Sequence, residues 1–293
     1  MKSSYLTNLV LLVIVISLLW LSQRDDSSSQ QDVTVSKLQA SDVNHILIER
    51  QAKVDIVLQR QQSGWVLVEP FKAKANQTRI NLLLSLLSYP IYGQFQPLEQ
   101  ASLAQFGLAD PSLTISMNEQ RLSFGSIESL SQHRYIMTDN LVYLIQDDVT
   151  PLLAASAGSF VDNRLIAKDQ HIVRLVVPVI HNNSVDLGQL ATMTNADGKW
   201  QSNISSLSTD SLKSLVDSWT HAYAMQVSHL SGQQLEGLNQ PQVKIWLHAE
   251  TEPLSFVIRQ NEHSLQLINP DLQLQYDFPK ALLSQLLPLL DTP

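Results

Sequence analysis

A short phrase that occurs twice constrains the fold of this chain more than any other sequence feature. The sequence Gly-Leu-Ala-Asp-Pro at 107–111 returns as Gly-Leu-Asn-Gln-Pro at 237–241, 130 residues later. Glycine and proline are scarce, with 9 and 12 copies among 293 residues, so a chance match of this kind is not expected. Self-similarity at a fixed displacement is typical of duplicated structural units. We therefore predict two tandem copies of one unit, at 43–165 and 166–293.

Residues around the phrase repeat in the same order. The apolar positions of a segment at 77–88 return at 209–222. Each glycine of the phrase follows a short apolar turn and precedes a proline, which predicts a positive φ at the end of a helical turn. The hallmarks of the repeat are Trp65, Gly107, Leu108, Pro111, Trp200, Gly237, Leu238 and Pro241. These residue types indicate turns and core positions rather than chemistry.

Each copy contains short runs with strand character that are separated by turn residues. The runs at 134–138 and 141–145 flank Asp139-Asn140, a pair that suits a tight hairpin turn. Hairpin spacing of this kind favours antiparallel pairing over a doubly wound parallel sheet. The predicted fold class of the body is α+β, with a mainly antiparallel β-sheet in each unit.

Helices are expected to be few. Apolar residues at helical spacing predict one amphipathic helix per unit, with Asn76 and either Ser208 or Thr209 as N-caps. A closing helix is predicted at 150–157 in the first unit and at 279–290 in the second. Each unit is therefore expected to contain two or three helices.

An apolar segment precedes the repeat. Residues 9–21 are apolar apart from Ser17, and no residue from Ser3 to Gln23 is charged. An uncharged window of about 20 residues is long enough for a membrane-spanning helix. The prediction is a transmembrane signal anchor at 1–22, followed by a flexible, polar tether at 23–42.

A cleaved signal peptide is the alternative interpretation of the same segment. No small-x-small cleavage site follows the apolar run, and Trp20 suits an interfacial anchor better than the −3 position of such a site. The Lys and Arg residues on the two sides do not decide the orientation. The predicted location is the bacterial inner membrane, crossed once through residues 9–21, with the bulk of the chain in the periplasm.

Composition excludes several classes of function. The chain has 19 Lys plus Arg and 27 Asp plus Glu, giving a net charge of −8. Nucleic-acid binding requires a basic surface, so no nucleic-acid partner is expected. The absence of cysteine excludes disulfides, thiolate metal sites and cysteine nucleophiles.

Catalytic and cofactor motifs are absent from the sequence. None of the 8 His forms a pair at metal-site spacing, and no phosphate-binding glycine loop occurs. His45 and His171 occupy matching places in the two units, which suits a repeated surface residue as well as a paired site. Asp147-Asp148 precedes a predicted helix and is interpreted as charge that complements the helix dipole, whereas Asp25-Asp26 lies in the predicted tether. We predict no catalytic residue, no metal site and no cofactor.

Several segments together resemble a bacterial family called domain of unknown function 4340. The likeness covers about 43–164 and continues more faintly into the second unit. It is carried by Gly64-Trp65, Pro70, the helix from Gln77, Phe106 to Pro111, Leu122 to Gly125, Arg134-Tyr135, Val142 to Leu144, and Val161 to Arg164. In this family an N-terminal anchor and an exported domain are common, and members are often encoded near gliding-type ABC transporter components. The resemblance implies a role in the cell envelope and supplies no catalytic residue.

The function predicted from these features is that of a non-catalytic, membrane-anchored envelope protein. It would be an accessory or interaction subunit of an ABC-type or other envelope complex, with a protein partner on edge strands or in the cleft between the units. One alternative is a periplasmic module that binds an envelope glycan or small ligand between the units. Another is a hydrolytic enzyme with a scattered site, which would need a concave cluster of perturbed carboxylates or histidines.

Overall fold

Two antiparallel β-sheets form the body of the molecule. The computed structural model describes residues 34–97, 99–181 and 184–290, together with Val15. Within these residues the first sheet has nine strands and the second has eight. Helical segments are short, and most of them lie between strands along the chain.

The strands of the first sheet form where apolar and polar residues alternate along the chain. Its strands are β1 (His45–Arg50), β2 (Ile56–Gln61), β3 (Gly64–Glu69), β4 (Ala73–Lys74), β5 (Gly93–Phe95), β6 (Leu113–Met117), β7 (Gln120–Ile127), β8 (Arg134–Thr138) and β9 (Leu141–Ile145). On β1, Ile46 and Ile48 are fully buried while their neighbours are partly exposed, because successive side chains point to opposite faces. Asp139 and Asn140 have φ values of 51° and 61°, so the predicted tight turn between β8 and β9 is confirmed.

The second sheet repeats this arrangement with longer first strands. Its strands are β10 (Ile172–His181), β11 (Ser184–Ala196), β12 (Lys199–Ser202), β13 (Gln226–His229), β14 (Val243–Leu247), β15 (Leu254–Gln260), β16 (Ser264–Asn269) and β17 (Leu274–Pro279). The register of β10 and β11 shifts between Pro178 and Val179, because residues 187–189 of β11 have no partner in β10 and form a bulge.

Both sheets have the same strand order. The first is β4-β3-β2-β1-β6-β7-β8-β9-β5, and the second is β12-β11-β10-β14-β15-β16-β17-β13. When the two-residue strand β4 is set aside, the strands correspond one to one, with β1 matching β10 and β5 matching β13. The prediction of two mainly antiparallel units therefore fits the structure in part, with differences in the helices and the N-terminus.

Each unit contains one longer helix whose N-cap is as predicted. The α-helices are α1 (Gln77–Ser85), α2 (Thr150–Leu153), α3 (Thr209–Thr220), α4 (Gly232–Leu235) and α5 (Leu283–Leu286). The side chain of Asn76 accepts from Arg79 N at 3.2 Å, and Ser208 Oγ accepts from Ser211 N at 3.1 Å. Ser208 rather than Thr209 is therefore the second cap.

The closing helices are shorter than predicted. The first ends at Leu153 and is followed by a separate 3₁₀ turn at Ala157–Phe160. In the second, Pro279 belongs to β17, and a 3₁₀ turn precedes α5. After α5 the chain is extended, since Ile180 N donates to Pro288 O at 2.8 Å and Leu290 N donates to Ile180 O at 3.0 Å. Pairing with β10 thus replaces the last turns of the predicted helix.

One apolar core spans both units. Its largest buried side chains include Phe160 of the connecting segment, Trp219 of α3 and Phe278 of β17. The indole Nε1 of Trp219 donates to Leu286 O at 2.6 Å, so the largest buried ring also satisfies its polar group. Burial of α3 against α5 therefore fixes the helix of the second unit to the end of the chain.

The predicted N-terminal transmembrane helix is wrong as part of the fold class. Among the described residues, which form mostly antiparallel sheet, no helix is long and apolar enough to cross a membrane. Apart from Val15, the apolar segment at 9–21 lies outside the described residues. The part of the predicted tether that is described packs on the first unit, because Val35 is buried and Ser36 N donates to Leu87 O at 3.2 Å.

Candidate functional site

A linker between the units lies between two strands at sheet edges. It runs from Ala157 to Arg164, with β4 of the first sheet on one side and β13 of the second on the other. On the side of the first unit, Ala75 forms an antiparallel bridge with Val161. On the side of the second unit, Arg164 forms an antiparallel bridge with Tyr223. Backbone contacts with both units therefore hold the linker.

Gly158 allows the linker to approach the second sheet closely. A Cβ atom at this position would lie 1.9 Å from the carbonyl oxygen of Val227 in β13. No side chain can be accommodated at that distance without moving backbone. Glycine is needed here because of the close approach of two backbone segments.

The linker and its backbone contacts with the two units form what we call the joint. Asp162 is a buried carboxylate at its centre. Arg164 donates to it twice, from Nε at 3.0 Å and from Nη2 at 2.8 Å, and this bond raises the pKa of Arg164. Lys74 Nζ of the first unit lies 3.8 Å from Asp162 Oδ2. In the second unit, burial and then the charge of Asp162 raise the pKa of Tyr276 to about 12. Asp162 thus interacts electrostatically with both units.

A groove of about 810 Å³ opens beside the joint, and we call it the inter-unit groove. Its first wall comes from β3, β4 and the turn between them, and its second wall comes from the end of β13 and the turn between β16 and β17. The residues that give it chemical character are Trp65, Phe71, Lys72, His229, Asp271 and Leu272. The volume falls within the range of about 300–1,000 Å³ that is usual for ligand sites.

Aromatic and charged groups are mixed along the inter-unit groove. The rings of Phe71 and His229 stack with centroids 4.4 Å apart and an interplanar angle of 13°, which joins the two walls. Lys72 supplies a positive charge, and Asp169 and Asp271 supply negative charges. Walls with apolar surface and charges of both signs suit a polypeptide segment better than a ligand of one strong charge.

The repeat hallmarks lie mainly away from this groove. Gly107 and Gly237 adopt left-handed conformations with φ values of 69° and 75°, as the apolar turns before them predict. Leu108 is buried in a small cluster with Leu103 and Val142, and Leu238 packs partly buried on the equivalent cluster of the second unit. Pro111 and Pro241 follow at partly exposed positions outside the helices and strands, and Trp200 of β12 is partly buried. Trp65 is both buried and on the groove wall.

The other residues considered for chemistry have structural contacts. His45 O accepts from Asn118 N at 2.9 Å, and His171 O accepts from His248 N at 2.8 Å, so the matching positions share a backbone role. In the described part of the chain, no group of three or more His, Cys, Asp or Glu could hold a metal ion. The pair Asp25-Asp26 lies outside the described residues.

Asp147 does more than complement a helix dipole. Desolvation opposes its ionisation, but hydrogen bonds from Arg134 Nε at 2.6 Å and from Thr150 N at 3.0 Å hold the pKa of Asp147 below its usual value. The predicted contact with the start of α2 is present. The pairing with Arg134 on β8 was not predicted.

Sequence reasoning identified no residue of the inter-unit groove as functional. Trp65 appeared only as a core position, and Phe71, Lys72 and His229 carried no signal of their own. The available signal was the linker itself, where Asp162 and Arg164 stand two residues apart in an otherwise mainly apolar segment. If these two residues had been interpreted as an ion pair at the junction of the units, the sequence would have predicted the position of the inter-unit groove.

Comparison with known families agrees with the resemblance in the sequence. Residues 65–244 match the model of a family described as domain of unknown function (DUF4340). The chain belongs to this family. No curated protein and no solved structure matches it significantly. The matched part of this DUF4340 chain begins at Trp65, includes the whole linker, and ends in β14, so it spans the joint and most of the groove.

Proposed function

We propose that this DUF4340 protein is a non-catalytic accessory component of a bacterial envelope complex, and that it holds an extended segment of a partner protein in the inter-unit groove. The observation that supports the proposal is the position of this groove between two sheet edges, β4 and β13. Edge strands present backbone donors and acceptors with which an added strand can pair. The envelope location rests on the family resemblance.

The linker already forms backbone pairing of the kind that we propose for the partner segment. Asp162 N donates to Lys74 O at 2.8 Å and Asn76 N donates to Phe160 O at 2.7 Å, so the linker already pairs with the edge that continues from β4. The groove extends along the same edge towards Phe71. A partner segment would continue this pairing, while Leu272 and the ring stack of Phe71 with His229 contact its side chains.

Site-specific photo-crosslinking tests the proposal. A photoreactive residue at Leu272, on the groove wall, is expected to form an adduct with one extended segment of one partner protein in cells. Leu130 is the matched control, because it is 92% exposed and does not line the groove. Adducts are identified by mass spectrometry, and the linked segment is synthesised as a peptide.

Peptide affinity then provides the decisive measurement. Ser63 is exposed on the groove wall, so Ser63→Trp is expected to fill the groove and weaken peptide binding by about tenfold or more, while Leu130→Ala leaves it unchanged. Equal adducts at positions 272 and 130, or equal peptide affinity in wild type and Ser63→Trp, would contradict the proposal. A glycan or small molecule as the linked species would favour the alternative of an envelope ligand-binding module.

A further inference from the structure

A second pocket, smaller and basic, lies at one end of the first sheet. It has a volume of about 240 Å³ and is bordered by the end of β1, the turn towards β2, the middle of β7 and the helix α2. We call it the basic pocket. Arg50, Lys53 and Arg134 line it together with Ser112 and Gln51. The Asp147 carboxylate pairs with Arg134 Nε at 2.6 Å from outside the lining, so Arg50 and Lys53 supply the net positive charge of the pocket. Such a concentration of cations stands out in a chain whose net charge is −8.

Backbone carbonyls hold these cations in place. Arg50 donates from its two terminal nitrogens to Ala155 O and Val54 O, and Lys53 Nζ donates to Ala154 O at 2.9 Å. The bonds to Ala154 O and Ala155 O satisfy carbonyls just after α2, a common structural role of basic side chains near a helix C-terminus, whereas Val54 O lies in the turn between β1 and β2. They also fix the side chains around the pocket before any ligand arrives.

The carbonyl contacts do not use every donor. Arg50 Nε is buried and has no hydrogen-bond partner among the described residues. Leaving a buried donor unpaired is unfavourable, more so when the group is charged. Burial also lowers the pKa of Arg50, and the negative charge of Asp55 opposes this effect. An acceptor in the basic pocket would remove the penalty.

The second unit has the same strand order with an apolar residue in place of Arg50, so the fold does not require a basic residue there. Glu49 pairs with Thr114 and Val176 pairs with Lys244 at equivalent places, so the next residues, Arg50 and Val177, correspond. Val177 is fully buried.

Arg134 has a similar apolar counterpart. Ile136 pairs with Tyr143 and Leu267 pairs with Tyr276, so Arg134 corresponds to Leu265, two residues earlier on its strand. Leu265 is also fully buried. An apolar core fills the space in one unit, whereas cations surround an open pocket in the other.

We propose that the basic pocket binds a phosphoryl group, either as free phosphate or as part of a small phosphomonoester. Arginine and lysine with a neighbouring hydroxyl are the groups that bind such oxyanions, and arginine contributes directed hydrogen bonds. The volume suits one tetrahedral oxyanion with its waters, and it lies below the usual range for larger ligands. The site is separate from the inter-unit groove, with which it shares no lining residue.

Calorimetric titration of the full chain tests this site, with inorganic phosphate and glycerol 3-phosphate as the two probes. We expect saturable binding to one site for at least one probe, at an ionic strength held constant with sodium chloride. Tighter binding of glycerol 3-phosphate assigns the site to phosphomonoesters, and tighter binding of inorganic phosphate assigns it to the free anion. Absence of saturable binding for both probes overturns the proposal.

Variants separate specific binding from general salt effects. Lys53 is exposed on a turn, so Lys53→Gln is expected to leave the fold intact and to weaken binding about tenfold. Arg60→Gln is the matched control, because Arg60 is likewise an exposed basic residue that donates to backbone carbonyls, Ser41 O and Ala40 O at 2.9 Å each, but it lies outside the pocket. Equal affinity of Lys53→Gln and wild type also overturns the proposal, and this comparison remains decisive if changes at Arg50 prevent folding.

Discussion

In the first unit, strand β1 ends at Arg50 on the wall of the basic pocket, whereas the corresponding residue of β10 in the second unit, Val177, is fully buried. The second unit also has longer first strands, and the extended end of the chain packs against Ile180 on them. Both units nevertheless keep one strand order. The strand order is therefore compatible with either a basic or an apolar side chain at this position, because backbone pairing does not depend on the side chain there.

The tryptophans of the two units provide the largest expected contrast. Trp65 is 4% exposed in the common core, and Trp200 is partly buried at its margin. Trp65→Ala is expected to lower the free energy of unfolding by about 4 kcal/mol, and Trp200→Ala by about 2 kcal/mol. Urea denaturation followed by circular dichroism measures both. Equal losses would show that the two positions are buried alike and would remove this difference between the units.

The repeated glycines are expected to differ by a smaller amount. Both have positive φ, so alanine is strained at either position. A Cβ at Gly107 would also lie 3.0 Å from Ser126 N, whereas nothing lies within 4 Å of a Cβ at Gly237. We expect a loss of about 2 kcal/mol for Gly107→Ala and about 1 kcal/mol for Gly237→Ala. A larger loss at Gly237 in thermal or urea unfolding would contradict the packing difference.

Acid sensitivity is expected to come from the first unit, through Asp147 and Arg134. Because the pKa of Asp147 is lowered in the folded state, its contribution is complete above the unfolded pKa of about 4 and is lost as the pH falls through the folded value. At neutral pH, Asp147→Asn is expected to cost about 1.5 kcal/mol. The difference from wild type should shrink in urea unfolding at low pH, and a constant difference would be inconsistent with the shift. Leu265→Ala destabilises the corresponding place in the second unit and should show no such dependence.

The helix caps are expected to give the smallest effects and the closest agreement between the units. Asn76→Ala and Ser208→Ala each remove one cap and should each cost about 1 kcal/mol. Asn76 also donates from Nδ2 to Asn163 Oδ1 of the linker at 3.4 Å, a long bond that adds little. A much greater loss at Asn76 in the same unfolding experiment would show that this linker contact matters more than the cap.

Local signals in the sequence predicted those parts of the fold that local physics determines. Asp139-Asn140 gave the hairpin turn, Asn76 gave the helix start, and Gly107 and Gly237 gave two left-handed turns. The closing helices were predicted too long, because the pairing of 288–290 with Ile180 is a contact distant in sequence. The predicted transmembrane helix does not belong to the described fold, in which no helix could cross a membrane.

The candidate sites could not be predicted in the same way. The inter-unit groove depends on how the linker places β4 beside β13, and Phe71 meets His229 only in three dimensions. The basic pocket likewise gathers Arg50, Lys53 and Arg134 from separate parts of the chain. Single basic residues at the ends of strands resemble ordinary surface residues until the sheet is assembled.

The contact between Gly158 and the carbonyl of Val227 has a mechanical consequence. Two domains joined by a flexible linker can move relative to each other. Here the linker packs directly against the backbone of the second sheet and forms a β-bridge with Ala75 of the first unit. Separation of the two units would therefore require breaking the backbone contacts of the linker. These backbone contacts also oppose hinge motion of one unit relative to the other.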